Sequence, residues 1–119
     1  MTEVEEIELA KAYVALSNAH RLGLIAPMFV EQAVYSSSNV GEFTGRSAIR
    51  EMMADFFCRF PDVYWKVPEY RRVAKGVIEF PFTMTATESS SGNAIEREGL
   101  ERIEVDGDGL IRRLEVKSP

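Results

Sequence analysis

The 119-residue chain has a single cysteine, Cys58, and a single histidine, His20. One cysteine excludes an internal disulfide and fits a reducing compartment. One histidine, without carboxylates at ligand spacing, excludes a histidine-based metal site. No basic stretch exceeds Tyr70-Arg71-Arg72, and the formal net charge is −5, which argues against a nucleic-acid or anionic-membrane partner. Long apolar runs are lacking too: Leu22–Val30 is the longest, Pro27 interrupts it, and it is far too short to span a bilayer. The acidic start (Glu3, Glu5, Glu6) is unlike a signal peptide, so the expected location is cytoplasmic. Repeats, low-complexity tracts and linkers are missing as well. What remains, 45% hydrophobic and 28% charged, suits one soluble domain over residues 1–119 with one core.

The apolar spacing predicts helices first. Leu9, Tyr13 and Leu16, widened by Ile7, Ala10 and Val14, make a stripe over residues 3–18, with the acidic residues where a helix N-terminus favours them. Tyr13 lies mid-stripe, either as core filler or as a group whose hydroxyl has a partner to find. A second, poorer helix is expected over 20–30, broken or kinked at Pro27, with His20 at the turn before it. A short strand at Ala33–Ser37 places Val34 and Tyr35 on opposite faces, and residues 36–41 read as a polar loop. Ile49, Met52, Met53, Phe56, Phe57 and Phe60 then recur at helical spacing, capped by Thr44 or Gly45 and stopped by Pro61, and should be buried as the roof of a core.

From Pro61 onward the pattern is strand-like: Val63, Trp65 and Val67 alternate with polar residues, Glu69–Ala74 follows, and a turn stands at Lys75-Gly76. Val77–Glu88 sets Ile78, Phe80, Phe82, Met84 and Ala86 on one face, with Pro81 marking a bulge or an edge. Ala94–Val105, the Asp106–Gly109 turn and Leu110–Lys117 complete the chain. Helices followed by a run of strands predict an α+β domain, a bent antiparallel sheet with about three helices across its concave face, shaped as a cone around a pocket.

One stretch carries the chemistry. In Ala94–Val105 one parity reads Ile95, Arg97, Gly99, Glu101, Ile103, Val105, and its apolar end should face the core. Glu101 is thereby drawn inside, where a carboxylate is either ion-paired, with Arg97 or Arg112, or shifted toward its neutral form.

Tyr13–Ala19, Met28–Tyr35, Gly45-Arg46-Ser47-Ala48-Ile49 and Phe60-Pro61-Asp62-Val63, with Glu101–Val105, the Asp-Gly turn and Leu110–Val116, resemble the nuclear transport factor 2-like superfamily in order and spacing. The ketosteroid isomerase-like and SnoaL-like polyketide cyclase-like branches are the nearest in pattern. The resemblance implies a cone-shaped α+β fold, a homodimer through the outer sheet face, and an apolar pocket for a cofactor-free reaction. The isomerase pattern's pocket tyrosine falls on Tyr13 and its neutral acid on Glu101. Its carboxylate base falls on Ser36 or Ser37, and serine cannot abstract a carbon-bound proton unaided. Tyr35, Ser37, Met53, Phe56, Phe57, Trp65, Phe82 and Arg112 are expected to line the pocket, Arg112 standing where the epoxide-hydrolase branch has its arginine. Two functions follow: a cofactor-free isomerase, cyclase or hydrolase acting on a small apolar carbonyl compound, or a binding module with the same pocket, the bland alternative being a dimeric structural domain with a filled core.

Overall fold

The structure is a computed structural model that describes residues 1–118. The first helix, α1 (Glu3–Asn18), has the expected bounds and opens with a capping box. Thr2 Oγ1 accepts the Glu5 N–H at 3.1 Å, and the Glu5 carboxylate accepts the Thr2 N–H at 2.9 Å. Its inner side buries Ala10, Tyr13, Val14 and Ser17. The second helix is much shorter than the apolar run suggests. α2 is one turn (Leu22–Ile25), a 3-10 turn covers Ala26–Met28, and β1 (Phe29–Ser37) starts at once. Pro27 sits in that 3-10 turn, where its missing N–H breaks no helical ladder.

The predicted loop at 36–41 is in fact a hairpin, because β2 (Gly41–Thr44) folds back on β1 with Ser37 opposite Gly41. Gly45, at φ 98°, turns the chain into α3 (Arg46–Arg59). Of the predicted α3 stripe, Ile49, Met52 and Met53 are buried, as is Phe60 at its C-terminal end. Phe56 and Phe57 are only half-buried, because they face a cavity and not the sheet.

The remaining strands are β3 (Tyr64–Lys66), β4 (Arg71–Ala74), β5 (Val77–Thr87), β6 (Ala94–Val105) and β7 (Ile111–Lys117). They join β1 and β2 in a curved, open sheet ordered β2-β1-β7-β6-β5-β3, with β4 also on β5. The sheet is mixed, not wholly antiparallel: β1 and β7 run parallel, Tyr35 opposite Leu114. A parallel pair needs a long crossover, and everything from β2 to β6 supplies it. Pro81 lies where β5 has a neighbour on one side only, since β4 pairs residues 77–79 and β3 pairs 83–85. That gap tolerates a residue without an N–H.

The helices cover one face of the sheet, and Phe29, Ile78, Phe80, Ile103, Ile111 and Leu114 are sealed beneath them. A buried carboxylate fastens this layer. Glu6, 2% exposed, accepts the Gly76 N–H at 2.7 Å and Arg72 Nε at 3.3 Å, tying α1 to the β4–β5 turn. The opposite face carries ion pairs, Arg102 to Glu79 at 3.2 Å and Arg113 to Glu115 at 3.0 Å. No helix among the described residues is long and apolar enough to cross a membrane.

Candidate functional site

Strand alternation directs Glu101 inward with Ile103 and Val105, opposite Phe80 on β5 and Val116 on β7. It is 6% exposed and has no ion pair among the described residues. Neither Arg97 nor Arg112 reaches it. Arg112 projects to the outer face and lies 3.5 Å from Glu104, so its expected place in the pocket is wrong. The cause is a shift in register: Leu114 and Val116 face inward, but β6 pairs Glu104 with Arg113 and Val105 with Ile111, so Arg112 is an extra residue that breaks the alternation and turns outward.

Two hollows share Glu101 in their linings. The outer one, about 520 Å³ of empty space with its mouth included, is lined by Tyr35, Ser37, Met53, Phe56, Phe57, Trp65 and Phe82, all expected. Met52, Met84, Val116, Asn39, Val40 and Arg97 complete it. The inner one, about 270 Å³ of empty space with its opening included, is lined by Tyr13, Val14, Ser17 and Phe80. Tyr35, Trp65 and Glu101 border both.

Each wall has a local cause. Tyr13 is set by α1 and packs edge-on against Phe29, ring centres 6.1 Å apart at 78°. Trp65 is held by Asn18, whose side chain bonds both backbone groups of Trp65. Phe56 stacks on Trp65 at 6.0 Å. Gly99 leaves room for the Phe82 ring, since a Cβ there would lie 2.6 Å from Phe82 Cζ. Ser37, one of the two serines on which the isomerase pattern's base falls, lines the cavity, and its hydroxyl accepts the Asn39 N–H at 3.2 Å.

Burial pushes the Glu101 carboxyl up to about 8, so it is mostly neutral at pH 7. Burial also raises Tyr13 and Tyr35 well above the ordinary phenol range, with the nearby Glu101 adding to both. Tyr70, packed on Phe80 at 4.9 Å and outside both linings, is pushed up to about 12, first by burial and then by the nearby Glu101. The walls thus offer neutral hydrogen-bond donors in apolar surroundings, where a substrate oxygen gaining charge is stabilised. Glu101 is the one carboxyl group in either lining. No cluster of three or more metal-binding side chains forms among the described residues.

The family follows from the chain's match to the SnoaL-like domain model over residues 10–114. The chain belongs to the SnoaL-like domain family. No curated protein sequence matches it. Solved structures resemble this SnoaL-like domain closely in fold. SalBIII, described as an epoxide hydrolase/cyclase-like enzyme in pyran ring formation of the polyether salinomycin, superposes with a TM-score of 0.88 at 16% identity, covering 98% of this chain and 92% of SalBIII. A hypothetical protein with a ketosteroid isomerase-like fold from Catenulispora acidiphila, in complex with trimethylamine, gives 0.82 at 14% identity over 92% of this chain and 83% of that one. A nuclear transport factor 2-like protein of unknown function from Exiguobacterium gives 0.82 at 15%, with 93% and 98% covered. At such identities the likeness establishes the fold.

Proposed function

We propose that this SnoaL-like domain binds a small apolar carbonyl compound in its cavity, and that Glu101 moves a proton there without a cofactor. The observation that carries the reading is the buried, unpaired Glu101 carboxyl bordering both hollows beside Tyr13 and Tyr35. A neutral carboxyl can act at both of its oxygens. One gives its proton to the carbonyl oxygen while the other takes a proton from the adjacent carbon. The C–H electrons become the C=C bond of an enol, and the carboxyl is regenerated. Tyr13 donates to the same oxygen. Where a second C=C is conjugated with it, the enol recovers a proton at the far end of that system in an isomerisation. In a cyclisation its C=C electrons attack a second carbonyl of the same molecule, whose π electrons move to oxygen and take up the enol O–H proton. The ring-forming activity described for SalBIII fits such a site.

The second reading is a binding module without chemistry. It is favoured by Ser36 and Ser37, neither of which supplies a base where the isomerase pattern has a carboxylate. One experiment separates the two. An apolar aryl ketone is added in D2O, binding is followed by Trp65 fluorescence and exchange of the α-protons by NMR. Binding with exchange that Glu101→Gln abolishes supports the acid/base reading. Binding without exchange establishes the module, and failure of aryl ketones to bind overturns both.

A further inference from the structure

The mouth of the outer hollow contains a charge that the proposed proton transfer does not use. Arg97 lines that mouth, half-buried, with Asn39 beside it. It has no carboxylate within ion-pair distance among the described residues, while the neighbouring Arg59 is bound to Glu88 at 2.8 Å. Asp55 borders the adjoining groove without pairing to Arg97. The Arg97 guanidinium lies 5.9 Å from the centre of the Phe60 ring, a contact that steadies the side chain without neutralising it. In a protein of net charge −5, a half-buried arginine with no acidic partner is a local exception.

Its position relative to Glu101 is fixed by the strand. The two residues lie four apart on β6 with the same parity, so their Cα atoms are separated by about 13 Å. Between them is Gly99, over which the Phe82 ring lies. The cavity therefore runs along β6 from a proton donor, across an apolar floor, to an unpaired cation.

Resting on the proposed function, we propose that Arg97 binds the anionic end of the substrate, which is an apolar carbonyl compound carrying a carboxylate at the far end of its chain. The carbonyl oxygen sits at Glu101, the hydrocarbon lies over Phe82, and the carboxylate takes charge-assisted hydrogen bonds from the guanidinium at the mouth. The arginine sets specificity and takes no part in the proton transfer.

The test uses a naphthyl ketone bearing a terminal carboxylate on a hexamethylene chain, and its methyl ester, titrated against the whole protein by Trp65 fluorescence. The acid is expected to bind about tenfold more tightly than the ester, an advantage that shrinks with salt. Arg97→Gln should weaken the acid far more than the ester and so remove that advantage, and Arg97→Lys should retain part of it. Circular dichroism shows that each variant is folded, and Arg97→Lys with the salt series carries the test if Arg97→Gln is not. Equal binding of acid and ester by the wild type overturns the role of Arg97 with the pocket intact. So does an equal loss for both probes in Arg97→Gln. Absence of binding by either probe overturns the pocket reading itself, and this inference with it.

Discussion

Asn18 closes both ends of its amide on the backbone of Trp65: Oδ1 accepts the Trp65 N–H at 2.7 Å, and Nδ2 donates to the Trp65 carbonyl at 2.9 Å. The last residue of α1 thereby fixes the short strand β3, which among the described residues has β5 as its only neighbour in the sheet. Asn18→Ala removes two bonds and should cost about 2 kcal/mol. Because Trp65 borders both hollows, its emission should also shift to the red and ligand affinity should fall. A variant with unchanged urea midpoint and unchanged emission would show that β3 needs no such clamp.

Glu101 predicts an unusual pH dependence. Its carboxyl titrates near 8 in the folded protein and near 4.5 when unfolded, so between those values the folded state holds the extra proton. Stability from this group is fully present below about 4.5 and is lost as pH rises to about 8. The full change is on the order of 5 kcal/mol. Glu88, Asp62 and Glu115 are shifted the other way by hydrogen bonds and act at the acid end. The difference between wild type and Glu101→Gln isolates Glu101: the variant should gain on wild type steadily from pH 5 to pH 9 in urea denaturation. A flat difference would mean that the carboxyl is solvated. Any proton-transfer activity should decline above about pH 8, since the neutral form is the working one.

Gly99→Ala tests the cavity floor. The added methyl would lie 2.6 Å from Phe82 Cζ and 2.8 Å from the Lys117 carbonyl oxygen. A loss of about 1–3 kcal/mol is expected, with reduced ligand binding as Phe82 is displaced into the hollow. Adding Phe82→Leu should restore part of the binding but little of the strain against Lys117, which thermal melts of the double variant would read.

The Glu6 contact gives a prediction about stability alone. Glu6→Ala leaves the Gly76 N–H unpaired and Arg72 without its carboxylate. A loss of about 2–4 kcal/mol is expected, allowing for the partial exposure of Arg72. Binding to the cavity should survive in whatever fraction remains folded, measured by equilibrium denaturation beside ligand titration.

Self-association is proposed through the outer sheet face, where Glu79, Thr83, Thr85 and Thr87 project from β5. Arg102 on that face has a buried Nε with no hydrogen-bond partner among the described residues, a group that a second copy could satisfy. Sedimentation should give twice 13.4 kDa at micromolar concentration, and a monomer there would remove the idea.

The parts of the fold set by local pattern were legible. The bounds of α1, β6 and the Asp106 turn follow from spacing and turn chemistry, and so does the inward aspect of Glu101. Elements without such a pattern were hidden. β2 has one half-buried apolar residue, Phe43, so nothing distinguished it from a polar loop. Leu22–Val30 is apolar throughout because a helical turn, a 3-10 turn and a strand entry all pack inward there, and a helical period cannot be separated from that run. Glu6 was read as a helix-end charge; that local account is sufficient, so it masked a tertiary contact with Gly76. Arg97 shares the parity of Glu101 but reads from the sequence only as its possible ion-pair partner, because a sequence does not show which charges remain unpaired.

The parallel join of β1 and β7 bears on how the domain is made. Phe29 pairs with Ile111, so β1 waits for a strand more than 70 residues further along the chain. As the polypeptide leaves the ribosome, β1 has only the short β2 to bond with, and its other edge stays open until the end of the domain emerges. Closure of so distant a contact should make folding slow for a chain of this length, and β7 should order late. Stalled or clipped chains ending before Ile111 would then display two raw strand edges, on β1 and β6, and should be early targets for chaperones and proteases.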